Sequence, residues 1–185
     1  MQSMSTLSLC GKGSSLILPH VFLPRLTMLS ISTFEDIDAE VLVRPGILRS
    51  LSNLATLVVH LTYYNDLSFL ALLRAPDINM LAVKHLIVTL ANMSAQTRQE
   101  VVAAFSRHDF LPDLVSLTLF IPSAVPSSTI RPFVEGLGQR VADTVVPRSV
   151  PFRRLVVESQ ISPNAISIDD ARELGALQQR LQEMT

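Results

Sequence analysis

A pattern of apolar residues that is nine residues long recurs along this chain, and its clearest copy runs from Leu111 to Leu119. There the sequence LPDLVSLTL places apolar residues at positions i, i+3, i+6 and i+8. Comparable copies begin at positions 23 and 51, a copy with poorer residues begins at 80, and two weaker copies cover 1–9 and 149–157. The third apolar position of each copy is a register mark, and these marks are Leu7, Leu29, Leu57, Leu86, Leu117 and Leu155. Successive marks are 22, 28, 29, 31 and 38 residues apart, so the chain is predicted to consist of irregular repeats.

Each copy ends in an alternation of apolar and other residues with a period of two, which is typical of a short β-strand. The predicted strands cover 6–10, 28–32, 56–60, 85–89, 116–120 and 154–158. One repeat alone cannot cover its own apolar surface, so neighbouring repeats must stack. We therefore expect six parallel strands in sequential spatial order, with the register-mark leucines buried.

The segments between the predicted strands change to helical periodicity. Ser94 is a good N-cap for a helix that continues to about residue 107. The apolar stripe of this helix consists of Val101, Val102 and Phe105. Further helices are predicted over 45–51, 67–74, 129–144 and 167–184. The interval 10–22 is rich in glycine and serine and is predicted to be a loop.

A strand, a loop and a helix, followed by a new strand about 30 residues later, form a right-handed βα unit. A stack of such units gives an α/β solenoid, with a parallel sheet on one face and helices on the other. We predict a single domain of this kind over residues 1–185, with about six irregular repeats. The alternative is a small α/β enzyme or a nucleotide-binding domain. A glycine-rich strand-to-helix turn, or titratable residues clustered at strand ends, would indicate that alternative.

The step L-x-x-L-x-L has three clear copies: Leu26, Leu29 and Ile31; Leu54, Leu57 and Val59; Leu114, Leu117 and Leu119. On this step the chain resembles the leucine-rich repeat family, over most of its length. The phrases APDI at 75–78 and FLPDL at 110–114 are similar to the divergent repeat domains that follow the F-box in many fungal proteins. This resemblance implies a non-catalytic protein-protein interaction module, the substrate-recognition part of an F-box-like ubiquitin-ligase component. It also implies a fragment of a longer protein, since no F-box is recognisable in this sequence.

The net charge and the hydropathy of the sequence limit the classes of binding partner and indicate the cellular compartment. A net charge of −1, from 15 basic and 16 acidic residues, gives no electrostatic footprint for nucleic acid or for an anionic membrane. No apolar run reaches the roughly 20 residues of a membrane-spanning helix. The single Cys10 cannot form an internal disulfide, and residues 1–10 make a poor signal peptide. We therefore expect an intracellular protein, cytoplasmic or nuclear.

Two short motifs are weak candidates for ligand binding. The segment 11–15, GKGSS, resembles a phosphate-binding loop but lacks the leading glycine and the following helix that such a loop requires. The acidic residues of segment 35–40 alternate as in a cation-binding loop, but the glycine and distal glutamate of a calcium loop are missing. A chance loop composition and a solvated acidic loop are the favoured interpretations.

Nucleophilic and metal chemistry also lack a convincing motif. Cys10 could act with a histidine as nucleophile and base, the candidates being His20, His60, His85 and His108. A packed, inert thiol is favoured instead, because free cysteines are commonly buried. His60 and His85 lie on adjacent predicted strands, yet a third metal ligand is not identifiable. We therefore predict no catalytic residue, no cofactor and no metal.

The residues that alternate with the buried leucines share the second face of the predicted sheet, which we call the open face. In solenoids this face is the usual binding surface, and here it is mainly hydroxyl and aliphatic. We predict that a protein partner binds there. The candidate residues are Thr56, Val58, His60, His85, Ile87, Thr89, Thr118, Phe120, Arg154, Val156 and Glu158. The alternative is that flanking segments cover this face and make it core, as is common for parallel sheets.

The first repeat is short and begins at Met1, so the stack is expected to lack an N-terminal cap. Uncapped repeats expose apolar surface, and we therefore expect self-association when the chain is expressed alone. A third interpretation is that the sequence is a fragment with no independent function.

Overall fold

The computed structural model describes residues 4–61, 66–75, 78, 81–90, 93–121, 130–142, 152–159 and 168–183. Within these residues, six strands form one sheet in which every neighbouring pair is parallel. The strands are β1 (Thr6–Leu9), β2 (Met28–Phe34), β3 (Thr56–Leu61), β4 (His85–Thr89), β5 (Ser116–Ile121) and β6 (Arg154–Ser159). Their spatial order is β1-β2-β3-β4-β5-β6, which confirms the predicted sequential order.

The six register-mark leucines pair with one another across the whole sheet. Leu29 is the partner of Leu7 on one side and of Leu57 on the other, and the same column continues to Leu155. A second column, two residues further along each strand, begins at Leu9. The predicted register is therefore confirmed from β1 to β6.

These two columns form the inner face of the sheet and pack into one core with the helices. Leu29, Leu117 and Leu119 have no exposed surface. Only the column ends, Leu7 and Val157, are partly exposed. Burying one such side chain contributes about 1.5–3 kcal/mol, so the two columns are a main source of stability.

Helices lie between successive strands after β2 and follow β6. They are α1 (Asp36–Leu42), α2 (Pro45–Ser50), α3 (Asp66–Arg74), α4 (Ala95–Ser106), α5 (Arg131–Ala142) and α6 (Ile168–Glu183). Every predicted helix is present. In α4, Ser94 Oγ accepts a hydrogen bond from the backbone N–H of Thr97 at 3.2 Å, which confirms the predicted N-cap. Within the helix layer, α1 contacts α3, α3 contacts α4, α4 contacts α5, and α5 contacts α6.

The prediction of a loop over 10–22 is wrong in its middle, where Ser14–His20 forms a 3-10 helix. Gly11 and Gly13 precede it with φ values of 94° and 66°, which glycine adopts without steric cost. Ser15 and Leu18 are both buried, because residues three apart lie on the same side of a 3-10 helix. The first repeat therefore carries a short helical element in place of an α-helix.

The prediction of a solvated acidic loop over 35–40 is also wrong, because this segment starts α1. Glu35 and Asp38 form a capping box at its N-terminus. Asp38 is fully buried, and it accepts hydrogen bonds from the backbone N–H groups of Ser15 (3.2 Å) and Glu35 (3.0 Å). The Asp38 carboxylate thereby joins the 3-10 helix to α1.

A buried arginine holds the turn that leads into β5. Arg140 on α5 is 1% exposed and donates hydrogen bonds to the backbone oxygens of Phe110 (2.6 Å) and Leu111 (3.0 Å). Leu111 has a φ of 41°, which is uncommon for a residue other than glycine. The guanidinium therefore fixes the entry to β5 against the helix layer.

Candidate functional site on the open face of the sheet

The open face consists of three rows of side chains that cross the strands. The first row is Thr6, Met28, Thr56, His85, Ser116 and Arg154. The middle row is Ser8, Ser30, Val58, Ile87, Thr118 and Val156. The third row is His60, Thr89, Phe120 and Glu158.

All eleven predicted protein-binding residues lie in these rows, on β3, β4, β5 and β6. Val58 is buried, with 6% of its surface exposed, and the other ten are partly or fully exposed. Their accessibility favours an open face over the alternative in which this side of the sheet is a second core. The sequence register therefore brings the predicted residues together on one accessible surface.

The middle row is largely aliphatic where it crosses β3 to β6. Val58 and Ile87 are register partners on strands about 4.8 Å apart, so their side chains are neighbours. Thr118 separates Ile87 from Val156 in the same row. Phe120 lies two residues beyond Thr118 and therefore on the same face. The result is an apolar strip bordered by hydroxyl and imidazole groups.

Two histidines on this face hydrogen-bond to the neighbouring strand. His60 Nδ1 shares a hydrogen bond with Thr89 Oγ1 at 2.7 Å, and His85 Nδ1 shares one with Ser116 Oγ at 2.7 Å. Burial lowers the pKa of His60 below its usual value of 6.5, which favours the neutral ring. Both rings are held in place through Nδ1, which leaves Nε2 as the atom that can meet a partner.

The two histidines do not converge on a metal ion. His85 pairs with Thr56, and His60 lies four residues further along β3, so their positions differ by roughly 13 Å along the strand direction. In the part of the chain that the structure describes, no three His, Cys, Asp or Glu side chains are grouped to hold an ion.

The remaining candidate motifs lie near β1. Lys12 Nζ pairs with Glu35 Oε1 at 3.1 Å, and the GKGSS segment leads into the short 3-10 helix described above. Cys10 is exposed at the end of β1, with its Sγ 4.0 Å from Ser8 Oγ. The prediction of a packed thiol is therefore wrong, because Cys10 alternates with the buried Leu9 and lies on the other side of the chain from the core.

Several surface features could not be predicted from the spacing of the repeats. A groove of about 330 Å³ lies between α5 and α6 and includes Glu135, Glu173 and Arg180 in its walls. A second groove, of about 370 Å³, lies between the end of the 3-10 helix and α2. Lys84 and Arg153 precede β4 and β6 directly and are exposed. They fall outside the strand alternation, so a search along the predicted face does not select them.

Among the helices that the structure describes, none is both long enough and apolar enough to cross a membrane. No protein-family model, curated protein or solved structure matches this chain. The structure shows an α/β chain with a six-stranded parallel sheet and helices.

Proposed function

We propose that this chain is a non-catalytic protein-interaction module that binds a protein partner through the open face of its sheet. The sequential order of the parallel strands supports a leucine-rich-repeat-like solenoid as the architecture, as do the helix contacts in chain order. In doubly wound nucleotide-binding folds, the strand order reverses and ligands bind at the reversal. The order of the six described strands contains no reversal, which favours the interaction module over a nucleotide-binding domain.

The observation that carries this proposal is the accessible aliphatic middle row. Ile87, which lies beside the buried Val58, and Val156, two strands further along the row, remain partly exposed on this face. Contiguous apolar surface on a folded chain commonly marks an interaction site. Full burial of an exposed side chain of this size contributes about 1.5–3 kcal/mol, and covering the exposed parts of Ile87 and Val156 would supply a fraction of that for each.

The specific form that we propose is the substrate-recognition part of an F-box-like ubiquitin-ligase component, acting in the cytoplasm or nucleus. Its support is the L-x-x-L-x-L spacing together with the phrases APDI at 75–78 and FLPDL at 110–114. In this form the F-box would belong to another part of a longer protein, and the open face would select the target.

Peptide selection on the purified chain tests the binding surface. Short random displayed peptides are enriched on the wild-type chain, and their affinities are then measured for Ile87→Asn and for Ala103→Asn. Ala103 is exposed on α4 and is the matched control. We expect Ile87→Asn to weaken binding at least about tenfold, which is about 1.4 kcal/mol, and Ala103→Asn to leave it unchanged.

Circular dichroism spectra of the three proteins should coincide, so that a loss of binding reports on the surface and not on unfolding. Equal affinity of the selected peptides for all three folded proteins would contradict the proposed site.

A further inference from the structure

A basic rim borders the open face where β4 and β6 begin. It consists of Lys84, His85, Arg153 and Arg154, all of which are exposed. The start of β5 lies between the two pairs, because Val115 donates its backbone N–H to Lys84 O and accepts from the N–H of Arg153, both at 2.8 Å. The two pairs are thus two strand spacings apart, roughly 10 Å.

The permanent cations of this rim have no counter-ion within the described chain. No ion pair or side-chain hydrogen bond among the described residues engages Lys84, Arg153 or Arg154. Two other arginines, Arg74 and Arg107, are by contrast paired with Glu100 and Asp109. With respect to the part of the chain that the structure describes, the rim therefore presents positive charge without an ion-pair partner, on a chain whose net charge is −1.

Two of the described acidic residues on or next to these strands, Asp113 and Glu158, form no ion pair with the rim. Asp113 is partly buried in the turn before β5. Glu158 is on β6, four residues and roughly 13 Å further along the strand than Arg154. The open face is therefore polarised, with cations at the starts of β4 and β6 and one carboxylate at the far end of β6.

The aliphatic strip lies directly beside this rim. Val156 is two residues beyond Arg154, and Ile87 is two residues beyond His85, so each apolar side chain is roughly 7 Å from a basic one on the same face. A ligand that covers both must combine apolar and negatively charged groups at this spacing.

We propose that the partner of the open face is an acidic protein segment. In this proposal, apolar side chains of the segment pack on Ile87 and Val156, and its Asp or Glu side chains lie against the basic rim. The inference rests on the proposed function and adds the charge of the partner to it. Complementary charge of this kind raises the association rate and excludes basic partners.

Nucleic acids and anionic lipid surfaces also carry negative charge, but the rest of the face favours a protein partner. Single-stranded nucleic acids are held by stacking on large aromatic side chains, whereas Phe120 is the one Phe, Tyr or Trp in the three described rows. The aliphatic middle row matches an apolar side chain instead.

The peptide selection described above tests this inference when it is repeated on a charge-reversed variant. The variant is Lys84→Glu with Arg154→Glu, and the matched control is Arg44→Glu with Arg98→Glu, two cations placed away from the sheet face. We expect peptides selected on wild type and on the control to be several-fold enriched in Asp and Glu next to an apolar residue. The charge-reversed variant should bind them at least about tenfold more weakly and should select Lys and Arg instead.

The outcomes separate the two proposals. Peptides that depend on Ile87 but show no acidic enrichment, or that bind the charge-reversed variant equally well, overturn the acidic partner and leave the binding face in place. A selection that yields no Ile87-dependent peptide overturns both. Fluorescent oligothymidylate and phosphatidylserine vesicles are measured in parallel at physiological salt, and tighter binding of either one than of the best acidic peptide overturns the protein partner.

Discussion

Gly136 on α5 lies so close to Phe105 on α4 that no side chain fits between the two helices. A Cβ added at Gly136 would lie 2.9 Å from Phe105 Cβ and 2.9 Å from the backbone oxygen of Val102. Phe105 also meets Phe133 and Phe110 edge to face, with ring centroids 5.2 and 5.1 Å apart. Tertiary contact therefore requires glycine at this helical position.

Alanine at Gly136 should destabilise the fold by about 1–3 kcal/mol, because its methyl group would overpack the contact with α4. Gly138 on the same helix is the matched control, since nothing lies within 4 Å of a Cβ added there. Gly138→Ala should stabilise by up to about 1 kcal/mol through its higher helix propensity. Urea titrations of the two variants provide the comparison, and a stabilised Gly136→Ala protein would mean that α4 and α5 are further apart than described.

The inner face of the sheet can be tested at neighbouring residues of β5. Leu117 is fully buried, so Leu117→Ala should cost about 2–5 kcal/mol through lost burial and a residual cavity. Ser116 lies on the open face and hydrogen-bonds to His85, and Ser116→Ala should change stability by no more than about 1 kcal/mol. Equal losses in denaturant titrations would show that the register of β5 is wrong.

The carboxylate between the 3-10 helix and α1 provides a third test. Asp38→Ala removes the acceptor for the backbone N–H groups of Ser15 and Glu35, and leaving buried donors unsatisfied should cost about 1–3 kcal/mol. Glu40 is exposed on the same helix, and Glu40→Ala should stay within about 0.5 kcal/mol of wild type. Thermal unfolding of the pair at neutral pH measures the difference, and similar melting temperatures would remove the structural role of Asp38.

The sheet could be predicted from the sequence because the pattern of residues that defines each strand is local and recurs in every repeat. The period-two alternation defines each strand, and the column of leucines sets the register, so Leu86 pairs correctly although its copy begins with the weaker residues Met80 and Val83. The members of the open face follow from the same alternation. The pairing of residues across the open face could thus be predicted from the sequence alone.

Other features depend on contacts that the local sequence does not contain. The acidic segment 35–40 resembles a solvated loop until Ser15, more than 20 residues away, supplies a donor to Asp38. The three-residue spacing of Glu35 and Asp38 was the available signal for a capping box. Gly136 lowers helix propensity, and only the neighbouring α4 explains its presence. Whether a cation such as Arg154 is paired also depends on distant elements.

Self-association is predicted at the β1 end of the sheet. Among the described residues, the exposed large hydrophobic side chains are Met4, Leu16, Ile17, Val21, Phe22 and Leu67. All except Leu67 belong to the first repeat, next to an edge strand that offers unpaired backbone groups. Replacing Ile17 and Phe22 by serine should therefore lower the apparent mass in concentrated solution.

Leu67→Ser is the control for this prediction, because Leu67 is 63% exposed but lies on α3, away from β1. Sedimentation velocity over a range of concentrations measures the association. A wild-type chain that stays monomeric throughout, or an equal effect of Leu67→Ser, would contradict the role of the first repeat.

The last prediction concerns the pH dependence of stability at His60. Burial lowers the pKa of this histidine in the folded chain, whereas in the unfolded chain it is near 6.5. As the pH falls through that range, the unfolded chain binds a proton that the folded chain resists, so this residue stabilises the fold above about pH 6.5 and loses that effect at lower pH. Glutamine at position 60 cannot titrate. The stability of His60→Gln relative to wild type should therefore increase as the pH is lowered from about 8 to about 5. Other titrating groups are the same in both proteins and cancel in this difference. A stability difference measured by urea titration that does not change with pH would mean that the His60 ring on the open face is as well solvated in the folded chain as in the unfolded one.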